Sequence, residues 1–528
     1  MILRECLITG CIALALALPS QAAQTARTSD GTQVYWVEQL AEGLKYPSSM
    51  AWLPNGDMLI LEREGGLRIV RQGRLDPRPI AGTPAAYMDV MNGLKDLVLD
   101  PDYPRNDMLY ILLCEGTYEH RHAAVYRARF GGGERLENVE RIFRSRDEVG
   151  GVATIATRMV FLEDKTLLVG VSEDHHAGAQ DLGSDLGKVL RINRDGSVPA
   201  DNPFLKTPGA LPEIWTYGHR VQMGLYQDPE SHEVWEVETG PLGGDELNLL
   251  KPGHNYGWAK VSWGFGYNNS GLDAPGQVAP GVDDPVLIWM PSQDPAGITR
   301  YMGSVYPLWN GDYFVGHLPT KQLERLRIEQ GQVVLQERML TDLKERIRDI
   351  KVGPDGYLYL LTDHVNGRLL RLQPGPPPAE SLARVAQPIA PPPQPEIATG
   401  FNADEAKLGG AGDPVKGKQE FLKRCASCHS IGKVIKGGAI GPDLTNVYGS
   451  LMGHKAGFVY SKNMADAVFE WNFTKLNRFL TNPQGFVPDT KMTAPPIEDV
   501  EIRRELIGFL KQQSSKGESQ STMSHPRP

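Results

Sequence analysis

Near the C-terminus, two cysteines and a histidine stand in the order Cys425-Ala-Ser-Cys428-His429. Two thiols one helical turn apart can form thioethers with the vinyl groups of a haem, and the adjacent imidazole can bind its iron. Further along, Met492 offers a soft thioether as a second axial ligand. The alternatives are a redox pair or half of a zinc site, but a second pair of zinc ligands and a βαβ context are both missing from the sequence. The spacing therefore predicts one covalently bound haem of the c type.

A second candidate for chemistry is a pair of arginines, Arg346 and Arg348, separated by Ile347. Side chains two positions apart on a strand point to the same side, so both guanidinium groups share one face. Two fixed cations on one face suit a ligand that carries several carboxylates. On periodicity alone, a solvated charged strand is the commoner explanation, so the pair needs support from the rest of the chain.

These residues lie in a chain with one recurring pattern, in which a turn is followed by two short apolar strands. The six copies pair 58–61 with 67–70, 109–112 with 125–128, 167–170 with 189–192, 234–237 with 247–250, 313–316 with 323–326 and 358–361 with 369–372. Each copy leaves room for two more strands, and repeated four-stranded units are typical of a β-propeller. The pattern predicts an all-β propeller with six blades. The alternative is a β-sandwich whose hairpins are alike by chance.

Composition restricts the classes of function. The 528 residues are 41% hydrophobic with a formal net charge of −9, which excludes a chain that is disordered throughout. With 55 basic and 64 acidic residues, the chain is not expected to bind nucleic acid. The 57 glycines and 40 prolines favour a turn-rich β architecture.

The N-terminus has the features of an export signal. Residues 1–23 combine a basic start, an apolar stretch and small residues at a cleavage site. No later segment reaches the roughly 18 apolar residues of a membrane helix, so we expect a periplasmic protein without a transmembrane segment. Cleavage would remove Cys6 and Cys11, and Cys114 lies in an apolar strand pattern that is typical of a core thiol.

The C-terminal region, from about residue 412 to 512, resembles the class I, mitochondrial-type cytochrome c family. The resemblance rests on Gly441-Pro442-Asp-Leu444, Phe458-Val-Tyr460-Ser-Lys-Asn463, Trp471 and Thr490-Lys-Met492. It implies one haem c, with its iron held by His429 and Met492. It also implies that Pro442 orients the axial histidine, and that three side chains lie around the haem propionates, namely Tyr460, Asn463 and Trp471.

The larger region, from about residue 38 to 373, resembles the soluble glucose/sorbosone dehydrogenase family, whose cofactor is pyrroloquinoline quinone (PQQ). Matching segments occur in every blade, among them 44–63, Tyr217-Gly-His-Arg220, 238–248, Pro252-Gly-His-Asn-Tyr-Gly-Trp258 and Arg346-Ile-Arg348-Asp349. The resemblance implies that Arg220, Arg346 and Arg348 hold PQQ. It also implies a catalytic Ca²⁺ that is bound partly through the backbone carbonyls of Gly240 and Pro241.

The chain departs from this family at several positions of the expected pocket. The family's general base is a histidine four residues before an arginine that opens an apolar strand, and here that position is Thr154. A threonine hydroxyl cannot take a substrate proton at neutral pH without another base. Three further changes are Met91, Val221 and Pro319. Substitute bases would be His175, His176 or His219, although a structural role is commoner for each.

The two resemblances and the proline content divide the chain. Nine prolines fall between Pro374 and Pro395, a density that allows neither strand nor helix. The predicted divisions are a signal peptide at 1–23, a propeller at 30–373, a Pro-rich linker at 374–400, a small all-α cytochrome c domain at 405–513 and a disordered tail at 514–528.

The leading functional hypothesis is a periplasmic quinoprotein-type dehydrogenase that oxidises a sugar, an alcohol or an aldehyde with PQQ. Its own haem c would take the electrons and reduce an external acceptor such as a respiratory cytochrome or oxidase. The change at Thr154 motivates an alternative, a degenerate propeller that serves as a binding or docking module for an electron-transfer cytochrome c. A third hypothesis is an enzyme of this fold with altered chemistry and a different base.

Overall fold

The computed structural model describes residues 25–27, 33–89, 91–150, 153–173, 178–265, 274–377 and 411–515, with gaps in the last range at 439, 451, 454, 456–457, 462–463, 465–470 and 488–489. The predicted signal peptide lies outside the described residues. So do most of the predicted linker and most of the predicted tail.

In these described ranges, twenty-five strands form six antiparallel sheets, one for each blade. The N-terminal strands are β1 (Thr25–Arg27) and β2 (Val34–Leu44). Blade 1 contains β3 (Pro47–Trp52), β4 (Met58–Glu62), β5 (Gly66–Arg71) and β6 (Arg74–Leu75). Blade 2 contains β7 (Leu94–Leu99), β8 (Met108–Gly116), β9 (Arg121–Arg129) and β10 (Glu137–Arg144), with a short helix, α1 (Tyr103–Asn106), between its first two strands. The prediction of a six-bladed β-propeller is confirmed.

The next three blades follow the same plan. Blade 3 contains β11 (Ala156–Phe161), β12 (Leu167–Val171), β13 (Lys188–Ile192) and β14 (Ile214–Tyr217). Blade 4 contains β15 (Val221–Gln227), β16 (Val234–Thr239), β17 (Asp245–Leu250) and β18 (Leu287–Trp289). Blade 5 contains β19 (Pro295–Arg300), β20 (Tyr313–His317), β21 (Gln322–Glu329) and β22 (Gln332–Met339), with a 3₁₀ turn at Pro307–Trp309.

Blade 6 closes the ring by combining the two ends of the propeller. It contains β23 (Ile347–Val352), β24 (Leu358–Thr362) and β25 (Gly367–Pro374), and the N-terminal β2 pairs with β25. Pairing the first strand with the last removes an exposed sheet edge and ties the ring shut. The first strands of successive blades contact one another around the axis, and β23 contacts β3.

The six hairpins read from the sequence are the two middle strands of each blade. The first copy, for example, is β4 with β5, and the last is β24 with β25. Middle strands are covered on both faces by neighbouring blades, so they are largely buried and rich in apolar residues, whereas outer strands such as β10 are largely exposed. This difference in burial explains why the recurring pattern in the sequence corresponds to the middle strands.

Six of the hydrophobic clusters in the described chain lie one between each pair of neighbouring blades. Cys114 is fully buried in the cluster between blades 2 and 3, as its strand pattern predicted. The propeller therefore has one core for each blade interface rather than a single central core, and its axis is left for other side chains.

The C-terminal domain is a small helical unit with its own core, and the predicted all-α fold is confirmed. Over the described residues its helices are α2 (Pro414–Arg424), α3 (Phe473–Thr481), α4 (Pro483–Phe486) and α5 (Val500–Ser515). Asp413 caps α2 by accepting a hydrogen bond from the amide of Val415. Helices α2 and α5 pack closely, because a Cβ at Gly417 would overlap the backbone of Glu505. In the described part of the chain, no helix is long and apolar enough to cross a membrane.

Candidate functional site

A cavity lies on the axis of the propeller, where the inner strands begin. Its lining comes from five of the six blades and consists of Tyr46, Ser48, Arg63, Lys95, Thr157, Arg158, Met223 and Arg348. The inner strands of a propeller all run in the same direction, so their first residues meet at one face. Polar groups from distant parts of the sequence are thereby brought together at one end of the channel.

The cationic side of this cavity is organised around a single buried carboxylate, Asp363. Its Oδ2 lies 3.1 Å from Nη2 of Arg346 and 3.4 Å from Nη2 of Arg348, and its Oδ1 lies 3.7 Å from Nη1 of Arg63. Burial alone would raise the pKa of Asp363, but the three arginines outweigh burial and hold the pKa well below its usual range. Three fixed cations around one anion leave an excess of positive charge at the cavity.

The structure thus brings Arg346 and Arg348 together, as the strand pattern predicted, and adds Arg63, which the sequence reasoning did not single out as a site residue. Arg63 directly follows β4, and its guanidinium lies 4.5 Å from the centre of the Tyr46 ring. The signal in the sequence was a charged pair, Glu62-Arg63, at the end of an apolar strand.

A lysine that the sequence reasoning missed, Lys95, also lines the cavity. It is half-buried on β7, and its Nζ donates a hydrogen bond to the carbonyl of Met91 at 2.6 Å. Burial, reinforced by Arg348 and Arg63, lowers the pKa of Lys95 to about 7. The available signal in the sequence was Lys95 itself, a charged residue next to Asp96 at the start of β7.

The floor of the cavity is formed by Arg158, which joins four blades. From blade 3, its guanidinium donates to three backbone carbonyls on other blades, those of Ser48 at 3.1 Å, Arg348 at 3.0 Å and Met223 at 2.8 Å. One side chain therefore satisfies carbonyls of three inner strands at once.

Two buried carboxylates complete the environment of Arg158. Asp96 and Asp349 lie 3.6 and 3.5 Å from its Nη1. Each also accepts a backbone amide across a blade boundary, Asp96 from Met159 at 2.7 Å and Asp349 from Met50 at 3.3 Å. This network ties the inner strands together below the cavity.

Arg220, the third arginine predicted to hold the cofactor, lies outside the lining of this cavity, at the start of β15. Its Nη1 donates to the carbonyls of Thr239 at 2.8 Å and Gly240 at 3.0 Å, and its guanidinium lies 5.2 Å from the ring centre of Trp258. The predicted calcium ligands, Gly240 and Pro241, directly follow β16. A carbonyl oxygen has two lone pairs, so Gly240 can accept from Arg220 and still offer a lone pair to a cation.

Thr154 is buried just before β11, and its backbone carbonyl accepts a hydrogen bond from the hydroxyl of Ser172 at 2.6 Å. Two of the histidines considered as substitute bases, His175 and His176, lie outside the described residues.

The third histidine, His219, lies in the interior of the propeller. It is fully buried, its Nδ1 lies 3.0 Å from Glu236, its Nε2 lies 2.9 Å from the hydroxyl of Thr216, and its ring stacks on Tyr256. Burial alone would lower the pKa of His219, but Glu236 and Glu238 outweigh burial and raise the pKa to about 9. Because His219 is fully buried and its Nδ1 is held by Glu236, it is not placed to take a proton from a substrate.

The predicted haem ligands lie where α2 ends. Cys425 caps this helix, and the amides of Cys428 and His429 both bond to its carbonyl, at 3.0 and 2.9 Å. The Nδ1 of His429 lies 2.8 Å from the carbonyl of Pro442, so Nδ1–H donates there and Nε2 is left as the ligand atom. This contact is the one that the resemblance assigned to Pro442.

The loop that carries Gly441 approaches the imidazole of His429 closely. A Cβ at Gly441 would overlap the imidazole ring of His429, so only glycine allows the loop to approach this closely. Cys425 and Met492 both pack against the core of the C-terminal domain, together with Tyr460 and Trp471. Asn463 lies outside the described residues.

Two observations place part of the C-terminal domain next to the propeller. Tyr118, in the turn between β8 and β9, packs against the core of the C-terminal domain. Burial raises the pKa of Tyr46 in the cavity, and Arg424, which precedes Cys425, is close enough to act against this effect. The helical domain therefore lies near the end of the propeller axis where Tyr46 lines the cavity.

Comparison with known proteins gives the two regions different relatives. Residues 44–371 match the family described as Glucose / Sorbosone dehydrogenase. The aldose sugar dehydrogenase YliI of Escherichia coli is 35% identical over 343 residues, which are 64% of this chain and 92% of that protein. Cytochrome c2 of Rhodomicrobium vannielii is 42% identical over 100 residues, which are 19% of this chain and 78% of that protein.

Among solved structures, the PQQ-bound form of an aldose sugar dehydrogenase from Streptomyces coelicolor has a TM-score of 0.53 and 25% sequence identity. The match covers 68% of this chain and all of the other. The C-terminal region, like the cytochrome c2 that it matches, belongs to the cytochrome c family.

Proposed function

Because the chain belongs to the glucose/sorbosone dehydrogenase family and carries a cytochrome c domain, we propose that it oxidises an aldose sugar, or a related alcohol or aldehyde, and passes the electrons to its own haem. The observation that carries this proposal is the cationic cavity at the end of the propeller axis near which the cytochrome domain lies. The substrate class comes from the similar Escherichia coli protein, which is described as an aldose sugar dehydrogenase.

The donors around the cavity fit PQQ, which carries three carboxylates and, when bound, supplies an o-quinone that accepts two electrons. Arg346, Arg348 and Arg63 would hold its carboxylates, since they share only Asp363 among them. Arg220 would hold the cofactor from the blade 4 side. The carbonyls of Gly240 and Pro241 would bind Ca²⁺, a hard cation that prefers oxygen ligands.

In the C-terminal domain, Cys425 and Cys428 would form the thioethers to the haem, and His429 and Met492 would bind its iron. The hydrogen bond from His429 to Pro442 fixes the ring and directs Nε2 towards the iron position. The haem, when bound, supplies a one-electron carrier.

Electrons would leave the propeller at the end of the axis near which the cytochrome domain lies. The contact at Tyr118 supports this direction, since it brings the helical core against the turn between β8 and β9. The final acceptor would be an external protein such as a respiratory cytochrome or oxidase. The predicted signal peptide supports a periplasmic location.

The test uses the full chain matured with haem, to which PQQ and Ca²⁺ are added. Calorimetry measures PQQ binding, and haem absorbance measures reduction by a panel of aldoses, alcohols and aldehydes. Reduction that requires PQQ is expected. If the chain has intact haem but binds no PQQ, the proposed dehydrogenase activity is wrong. A propeller that serves as a docking module for the cytochrome c domain would then be the better explanation.

A second test uses a variant at Thr154, the position where the family has its general base. Thr154→His should raise the rate of haem reduction without changing PQQ affinity, because a general base contributes about 10²–10⁴-fold. An unchanged rate in a folded variant would show that another group already takes the proton.

A further inference from the structure

Lys95 is the one lining residue of the cavity whose positive charge lacks a carboxylate partner. Within the described part of the chain it forms no ion pair, and its Nζ donates to the neutral carbonyl of Met91. The nearest cations are Arg63 and Arg348, and both already share Asp363. Lys95 therefore adds a fourth basic group to a place where positive charge is already in excess.

The remaining groups that face Lys95 offset this charge only in part. Asp89 lies on the same side, but its carboxylate already accepts the amides of Met91 and Asn92, at 2.8 and 2.7 Å. Burial raises the pKa of Cys114 to about 12, so this thiol is neutral at neutral pH. Burial also raises the pKa of Tyr46, which is neutral for the same reason.

On the far side of the cavity lies Arg158, which is held by Asp96 and Asp349. Among the described residues, Asp89 is the carboxylate that stabilises an ammonium at Lys95, and it does so less than the guanidinium groups of Arg348 and Arg63 repel it. While the cavity is empty, these surroundings favour the neutral amine form of Lys95. Once a polyanion has entered, they favour the ammonium form.

We propose that Lys95 takes up one proton from solvent when a polyanionic ligand enters the cavity, and that the resulting ammonium binds an anionic group of this ligand. The identity of the polyanion as PQQ rests on the proposed function. The step breaks no covalent bond other than that of the proton donor in the buffer, and nothing is oxidised or reduced.

This coupling fixes the direction of the pH dependence. The ligand raises the proton affinity of Lys95, so the full contribution to binding is present below the pKa of the free protein, about 7. Above pH 7, the contribution of Lys95 to the binding constant declines by up to about tenfold for each pH unit. The decline ends where the pH reaches the pKa of Lys95 in the complex. Binding should therefore weaken as the pH rises from 7 to 9.

The experiment is calorimetry on the full, haem-matured chain with PQQ and Ca²⁺ at about pH 8, in two buffers that differ in ionisation enthalpy. Wild type should take up close to one proton for each PQQ bound. Lys95→Met should bind about tenfold or more weakly and take up none. Lys95→Arg should keep most of the affinity but take up none, because an arginine is charged in both states.

A matched control is Lys206→Met, which removes an exposed lysine from a loop of blade 3 and should behave as wild type. Equal binding enthalpies for wild type in the two buffers, or proton uptake that persists in Lys95→Arg, would overturn the proposal. A purely structural lysine would lose affinity in Lys95→Met without any change in proton uptake.

A second readout needs no PQQ, and it separates this inference from the proposed function. The pH dependence of Lys95 acetylation by acetic anhydride, followed by peptide mass spectrometry, should have its midpoint near pH 7 in the free protein. Saturating citrate, a tricarboxylate probe, should move this midpoint upward by about one unit or more. If PQQ fails to bind while citrate moves the midpoint, the proposed function fails and the role of Lys95 stands. A midpoint near 10 in the free protein, or one that citrate leaves unchanged, would overturn the role of Lys95.

Discussion

The site in the cytochrome domain and the cavity of the propeller are assembled in opposite ways. Cys425, Cys428 and His429 come from a single turn of chain at the end of α2. The cavity draws its lining from five blades, and Ser48 and Arg348 are separated by almost the whole propeller. The first site depends on one local geometry, whereas the second depends on the closure of the ring.

The two sites should therefore be sensitive to substitutions at different places. The cytochrome site should be abolished by changes to the residues that bind the haem, with little effect on the propeller. The cavity should be most sensitive to the network below it, where Arg158 bonds to three other blades.

Replacing both Cys425 and Cys428 by alanine should abolish covalent haem attachment entirely, because no thioether can form. Haem staining of a denaturing gel measures this loss. PQQ binding should persist, since the cavity shares no residue with the motif. The control is Cys114→Ala in the propeller core, which should keep its haem. Loss of PQQ binding together with the haem would show that the two sites are not built independently.

Replacing Arg158 by methionine should destabilise the propeller by about 3–5 kcal/mol, because Asp96 and Asp349 would remain buried without their cation. Urea unfolding followed by tryptophan fluorescence measures the free energy. Arg338→Met removes an exposed arginine from β22 and should change the stability by no more than about 0.5 kcal/mol. A loss below about 1 kcal/mol for Arg158→Met would show that the ring does not depend on this network.

The same contrast explains which features could be predicted from the sequence. The motif at Cys425 is contiguous, and the middle strands of each blade are short segments rich in apolar residues, so both could be recognised locally. Arg63 and Lys95 could not be recognised in this way, because they become neighbours in the cavity lining only when blades 1, 2 and 6 meet at the axis. His219 was considered as a base, but the carboxylates that fix its charge are supplied by β16.

Replacing Arg346 by methionine should raise the dissociation constant of PQQ by about 10–100-fold, the value of one charge-assisted contact. Asp363 would still be held by Arg63 and Arg348, so the stability of the fold should change little. Calorimetry of the haem-matured variant provides the constant. Arg74→Met, at an exposed position of β6, is the matched control. Unchanged PQQ affinity in Arg346→Met would place the cofactor elsewhere on the propeller.

The smallest effect is expected where the two regions touch. Tyr118→Ala should remove an aromatic contact worth about 0.5–1.5 kcal/mol, so the population with the cytochrome domain docked falls by about 2–10-fold. The rate of haem reduction by PQQ and sugar should fall in proportion, while PQQ affinity and haem content stay as in wild type. Tyr118→Phe keeps the ring and should keep the rate. Because neither site is altered, a slower rate in Tyr118→Ala alone would show that this contact sets how often the haem lies within reach of the cavity, whereas an unchanged rate would assign electron transfer to another contact.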